Sequence, residues 1–181
     1  MNDLSSLIHR RRAIFPKTYI PGKAIGRSVI EQILENANQA PTHRLTEPWR
    51  FQVFHSEKSR HELSAYMSDF FRRHTAPELL TEEKVMKAGE NALLAGAVIA
   101  IILHRDPEER IPEWEEIASV AMAVQNMWLS CTAINLGCYW SSPKRRWKPA
   151  NFWGWAKANA ASGCFIWAGT ICRLYRGNGS R

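Results

Sequence analysis

Apolar residues along this chain recur with two alternating periods. From Ser28 onward, Ile30, Ile33, Leu34 and Ala37 fall near a 3.6-residue repeat, which predicts an amphipathic helix over Val29–Asn38 with Ser28 as its cap. Leu4–Arg12 reads as a shorter helix ending in three arginines, and Ser56 heads another whose stripe is Leu63, Tyr66 and Phe70. A further helix is expected from about Thr81 to Asn91. Trp49–Phe54 reads as a strand. Ala97–Leu103 is a continuous apolar run of strand length, the pattern of a central strand covered on both faces. From Pro112 to Leu136 the stripe Ile117, Val120, Ala121, Val124, Met127, Trp128 and Cys131 covers much of a helix circumference, so that helix belongs in a core or a subunit interface. Pro112 suits its start and Gly137 its C-terminal turn. Cys164–Trp167 predicts a last apolar strand. Helices and strands interleave, which gives a mixed α and β class with a small sheet.

One connection carries more chemistry than the rest. Ala40-Pro41-Thr42-His43-Arg44-Leu45-Thr46-Glu47-Pro48-Trp49-Arg50-Phe51 joins a predicted helix to a predicted strand, with two prolines bracketing a polar, cationic loop. Proline fixes φ and lacks an N–H, so the helix stops here. Turn chemistry alone accounts for such a loop. The other reading is a rigid presentation of Thr, His and Arg to an anionic, ring-bearing ligand.

Length and composition narrow the field. The 181 residues suit one domain, and 45% hydrophobic with 23% charged residues is a globular balance that argues against disorder. The net charge of +7 favours anionic partners, whether nucleic acid, membrane surface or a phosphate-bearing cofactor. The longest apolar run, 93–103, is too short to span a bilayer, and Met1–Ser6 shows no signal-peptide pattern. Cys131, Cys138, Cys164 and Cys172 form no CxxC pair, which suggests thiols in a reducing cytoplasm and neither a disulfide frame nor a zinc site.

Most catalytic signatures are missing: there is no GxSxG elbow, Walker A loop, HExxH or GxGxxG. His43, His55, His61, His74 and His104 lack metal-ligand spacing, so no metal is expected. Glu113, Glu115 and Glu116 form an acidic first helical turn favoured by the helix dipole. Two other features stand out. His9-Arg10-Arg11-Arg12-Ala13 is either a solvated basic helix end or a guanidinium fork for a phosphate or polarised carbonyl. Gly137-Cys138-Tyr139-Trp140-Ser141-Ser142-Pro143 is either core and turn or an aromatic-hydroxyl ligand contact.

In order along the chain, these segments resemble the motifs of the FMN-dependent nitroreductase family, especially its compact, short-chain branch. Arg11-Arg12-Ala13-Ile14 is similar to the family's N-terminal Arg-Arg-Ser motif, and Ala40-Pro41-Thr42-His43…Glu47-Pro48-Trp49-Arg50-Phe51 to its Pro…Gln-Pro-Trp block. Trp114–Ser142 resembles its long dimer helix and the Gly-x-x-x-Trp turn, and Phe165–Thr170 its closing strand. The resemblance implies an α+β fold in one domain over 1–181, with a central, mostly antiparallel sheet flanked by helices in an intertwined homodimer. It implies FMN at each subunit interface and NAD(P)H as electron donor. Arg11, Arg12 and Ala13 would approach the cofactor from one subunit, and Thr42, His43 and Leu45 from the other, with His43 as a positioning donor. Trp140, Ser141 and Ser142 would line one edge of the ring, and Arg176 would meet the phosphate, with Lys87 a weaker candidate.

The implied reaction is ping-pong: NAD(P)H reduces FMN and leaves, then an electron-poor small molecule such as a nitroaromatic or quinone enters. The chemistry would belong to the flavin, so no side chain is expected to be catalytic. Three departures from the family pattern are visible: Ala13 for Ser, Glu47 for Gln, and a short tail after Tyr175-Arg176, with 151–162 rich in Ala and Trp. Two alternatives remain at this point. One is a flavin-binding protein with little turnover. The less favoured is a basic nucleic-acid binder using Arg10–Arg12 and Lys144–Lys148.

Overall fold

The computed structural model describes residues 3–20, 24–141 and 168–174. Among these residues five α-helices and four strands follow in the order α1 (Asp3–Arg10), α2 (Arg27–Asn38), β1 (Trp49–Phe54), α3 (Glu57–His74), α4 (Glu82–Leu94), β2 (Ala97–Leu103), α5 (Glu113–Ala133), β3 (Leu136–Ser141) and β4 (Ala168–Leu174). The strands form one antiparallel sheet in the order β1-β2-β4-β3. Trp49 pairs with Leu103, Ala97 with Cys172, and Trp140 with Thr170.

Alternation along β2 builds two cores. Ala97, Ile99, Ile101 and Leu103 face α2 and α5, where they meet Ile33, Ala37, Val124 and Met127. Val98 and Ala100 face the other way and pack with Leu63 of α3, Ala92 of α4, Phe54 and Tyr139. Every residue of β2 is therefore buried, as its unbroken apolar run predicts. The same alternation splits β3, with Cys138 and Trp140 on the α5 side and Tyr139 on the α3–α4 side. The observed class is the α+β arrangement expected, a small antiparallel sheet between helical layers.

Several boundaries differ from the sequence expectation. Helix α1 ends at Arg10, which leaves Arg11 and Arg12 in an arm without regular secondary structure. Gly26, not Ser28, occupies the N-cap of α2, and no side chain caps it. Ser56 does cap α3, accepting from the Ser59 N–H at 3.1 Å, and Thr81 caps α4 in the same way. Helix α5 ends three residues earlier than Leu136, and the left-handed turn expected of Gly137 is made by Asn135 at φ 55°. Asparagine tolerates this region through its short polar side chain. Gly137 instead lies within β3, so Cys138–Ser141 is strand, not turn. The expected strand Cys164–Trp167 lies outside the described residues, and the described closing strand is Ala168–Leu174.

Candidate functional site

The first and third polar segments of the sequence come together. Beyond α1 the arm crosses the end of β3: the Ile14 N–H donates to the Cys138 carbonyl at 3.0 Å, and the Phe15 ring lies 5.2 Å from Tyr139. The Tyr19 hydroxyl donates to the Ile14 carbonyl at 3.1 Å. On the α5 side Trp128 holds the same arm. Its Nε1–H donates to the Arg12 carbonyl at 3.0 Å, and its ring lies 4.6 Å from the Arg11 guanidinium carbon. Arg12 turns back on itself, donating to the carbonyls of His9 and Arg11. Its side chain and carbonyl both have partners within the chain. Arg11, by contrast, makes no side-chain hydrogen bond among the described residues. Ala13, which follows them, is exposed.

Trp140 packs on the core beside α5, yet its Nε1–H is buried and without a hydrogen-bond partner among the described residues. A buried, unpaired indole N–H costs free energy unless something accepts from it. Ser141 points to the other face, where its hydroxyl meets the Tyr139 phenol. Burial pushes that phenol up from its ordinary pKa, against the opposing Ser141 contact, and Asn91 Nδ2 donates to it at 3.3 Å.

The second segment folds as a 3-10 turn, His43–Leu45, with an unusual backbone. Arg44 and Leu45 have φ 54° and Glu47 has φ 42°, three non-glycine residues in the left-handed region within four positions. Each costs of order 1 kcal/mol and persists only where surroundings over-determine it. Here the Thr42 hydroxyl meets that of Thr46 at 3.2 Å and accepts from the Glu47 N–H at 3.2 Å. His43 Nδ1 reaches Glu115 Oε2 on α5 at 2.6 Å. Leu45 stands out at the tip, 81% exposed. The far side of the loop is fixed by the core: Trp49 Nε1 donates to Asn38 Oδ1 at 3.0 Å.

Among the described residues of one chain no contact joins the two groups. The loop is tied to α5 at Glu115 and the arm at Trp128, about 20 Å apart along the helix at 1.5 Å rise per residue. On its side away from the core α5 leaves Trp114, Ile117 and Met122 exposed. Ser142 and Arg176 lie outside the described residues. Lys87 is exposed on α4, across the sheet from α5.

An ionic latch fixes the start of α5. Glu116 is wholly buried, accepting from Arg105 Nε at 2.8 Å and from the Asp106 N–H at 2.7 Å. Asp106 in turn accepts a fork from Arg110, at 2.7 and 3.0 Å, and the Arg110 N–H at 3.1 Å. The Arg110 fork holds the Asp106 carboxyl down to about 2 although burial opposes it. His104, next in line, is pushed below its ordinary value by burial and by Arg50, with Glu116 opposing. Of the acidic turn read from the sequence, then, Glu115 serves the loop and Glu116 serves the core. Among the described residues no group of His, Cys, Asp and Glu is placed to hold a metal ion, and no helix is long and apolar enough to cross a membrane.

The Nitroreductase family model matches residues 8–159, most of the chain and all three polar segments through Ser142. The chain belongs to the nitroreductase family. Among its nitroreductase relatives is YfhC of Bacillus subtilis strain 168, provisionally named an NAD(P)H nitroreductase, 29% identical over 78% of this chain and 70% of that protein. The fold matches a nitroreductase-like family protein from Bacillus cereus with a TM-score of 0.70 at 20% identity, over 100% of this chain and 90% of that one. It also matches a nitroreductase with bound FMN from Bacteroides fragilis, with a TM-score of 0.66 at 16% identity, over 100% and 92% of the two chains. The two structural matches establish a shared nitroreductase-like fold.

Proposed function

We propose that this protein is an FMN-dependent oxidoreductase that takes electrons from NAD(P)H and passes them, by a ping-pong mechanism, to an electron-poor acceptor such as a nitroaromatic or quinone. The observation that carries the reading is a pair of unspent donors flanking one arm. Arg11 offers a guanidinium with no hydrogen bond among the described residues, and Trp140 a buried N–H with no acceptor among them. FMN fits both needs, because it brings a nearly dianionic phosphate and a ring edge rich in carbonyl and nitrogen acceptors. Named relatives and FMN-bound neighbours support the same cofactor and donor. When bound, the flavin supplies the hydride chemistry. The chain's own residues bind and orient it: Arg11 through its fork, Arg12 and Ala13 as the arm, and Trp140 and Ser141 from β3, with Ser142 and Arg176 as further contacts.

The loop residues Thr42, His43 and Leu45 belong to the same site in this reading, contributed by the partner subunit of a homodimer. Three features favour it: the loop and the arm lie about 20 Å apart along α5, the tip residue Leu45 is exposed, and α5 presents Trp114, Ile117 and Met122 outward. A cytoplasmic protein of one domain over 1–181 accords with its thiol content and length.

The test is direct. Protein purified without added cofactor should be yellow, or become so on titration with FMN, and should then oxidise NADH or NADPH in the presence of a quinone. A colourless protein that takes up no FMN would sink the reading, and flavin uptake without turnover would reduce it to a flavin-binding protein.

A further inference from the structure

We infer that Trp128, which carries no ligand itself, is the positioning residue that pre-organises Arg11 for an anionic ligand. This rests on the flavin reading of the site given above. A single side chain makes both contacts that hold the arm from α5: the indole N–H donates to the Arg12 carbonyl at 3.0 Å, and the indole face lies 4.6 Å from the Arg11 guanidinium carbon. The two contacts act on consecutive residues, so they fix the arm's backbone and the Arg11 side chain together.

The value of stacking lies in what it leaves unused. A guanidinium carries five N–H donors, all in its plane. A carboxylate partner would hold Arg11 by consuming those donors. An aromatic face holds it from above and consumes none. Arg11 is thereby restrained in rotamer while its fork stays available to a phosphate or a flavin carbonyl. Binding then avoids part of the entropy of ordering a long side chain. Trp128 is itself anchored, being packed against the core cluster between Met127 and Cys131. The arm is further tied to β3 through Ile14 and Cys138, so the platform and the strand carrying Trp140 are in register.

Two variants and two readouts test this. Trp128→Phe keeps an aromatic face and loses the N–H; Trp128→Leu loses both. In the cofactor-free protein, the Arg11 Nε–H resonance should be shifted by the ring current, retain part of that shift in Trp128→Phe and lose it in Trp128→Leu. In fluorescence titrations, Trp128→Leu should bind FMN about tenfold more weakly than wild type, with Trp128→Phe between them. Riboflavin, run beside FMN, reports the fork's target: a loss with both ligands assigns it to the ring, a loss with FMN alone to the phosphate, and either upholds the role of Trp128. FMN affinity equal to wild type in a folded Trp128→Leu protein overturns this inference alone, as does an unshifted Arg11 signal in the wild type. Wild-type protein that binds no flavin overturns the flavin reading and takes this inference with it.

Discussion

His43 Nδ1 lies 2.6 Å from Glu115 Oε2, a contact that orients the imidazole from the first turn of α5. The ring is thus held with Nε2 directed away from α5. Glu115 also restrains a loop whose backbone is left-handed at three residues. The pair is partly exposed, so its direct contribution to the fold is small, about 0.5 kcal/mol. Glu115→Ala should therefore lower the melting temperature by less than about 2 °C. The same substitution should weaken FMN binding about fivefold, because the loop loses its outer tether. Calorimetry and flavin titration on one preparation check both halves.

Trp140→Phe should act in opposite directions on stability and binding. It removes a buried N–H that has no acceptor among the described residues while keeping most of the ring. The cofactor-free protein should be unchanged or up to about 1 kcal/mol more stable in denaturant titrations. Flavin affinity should fall. A loss of stability without a loss of affinity would mean that the indole N–H serves the fold and not the ligand.

Breaking the latch at Glu116 should be costly. Glu116→Ala leaves Arg105, itself largely buried, and the Asp106 N–H without their acceptor, for a loss of about 3 kcal/mol or more. Glu116→Gln keeps an acceptor of the same shape and should lose less. Urea unfolding of the two variants measures the difference, which a solvated first-turn glutamate would not produce.

Acid should destabilise the protein in two windows. Because the folded His104 lies below its ordinary 6.5, the unfolded chain takes up a proton first, so stability falls as pH drops below about 6.5. The folded Asp106 titrates near 2 against 3.8 ordinarily, so its contribution is complete above about 4 and is lost between 4 and 2. His104→Gln should flatten the upper window and Asp106→Asn the lower one in a stability-against-pH series.

Gly89 marks the closest approach of α3 and α4. A Cβ there would lie next to the Ser64 carbonyl oxygen and hydroxyl and 2.8 Å from the Ser68 hydroxyl. The backbone oxygen cannot rotate away, so the two helices must separate. Gly89→Ala should cost about 1–3 kcal/mol by denaturant titration although alanine favours helix.

How much of this was legible beforehand follows from where each signal lies. The unbroken run Ala97–Leu103 announces a strand buried on both faces, and Ser56 announces a helix start, because those causes are local. Trp128 sits in the apolar stripe of α5 and reads as core or subunit interface, since nothing in its neighbours reveals an arm 116 residues earlier in the chain. Glu115 and Glu116 looked alike as acids favoured by the helix dipole. Their separate partners, His43 and Arg105, depend on how the chain folds back. Gly137 misled as a helix stop because Asn135, two residues before it, supplies the same backbone geometry.

The strand order β1-β2-β4-β3 has a consequence for how the protein is made. Strand β3, which carries Trp140, touches no other described strand except β4, and β4 is residues 168–174. During synthesis the described ladders from β2 and β3 to β4 therefore form only once residues 168–174 have left the ribosome. The ladder that holds Trp140 is thus among the later parts of the described sheet to close, and on the proposed flavin reading nascent chains paused before residue 168 should not bind flavin.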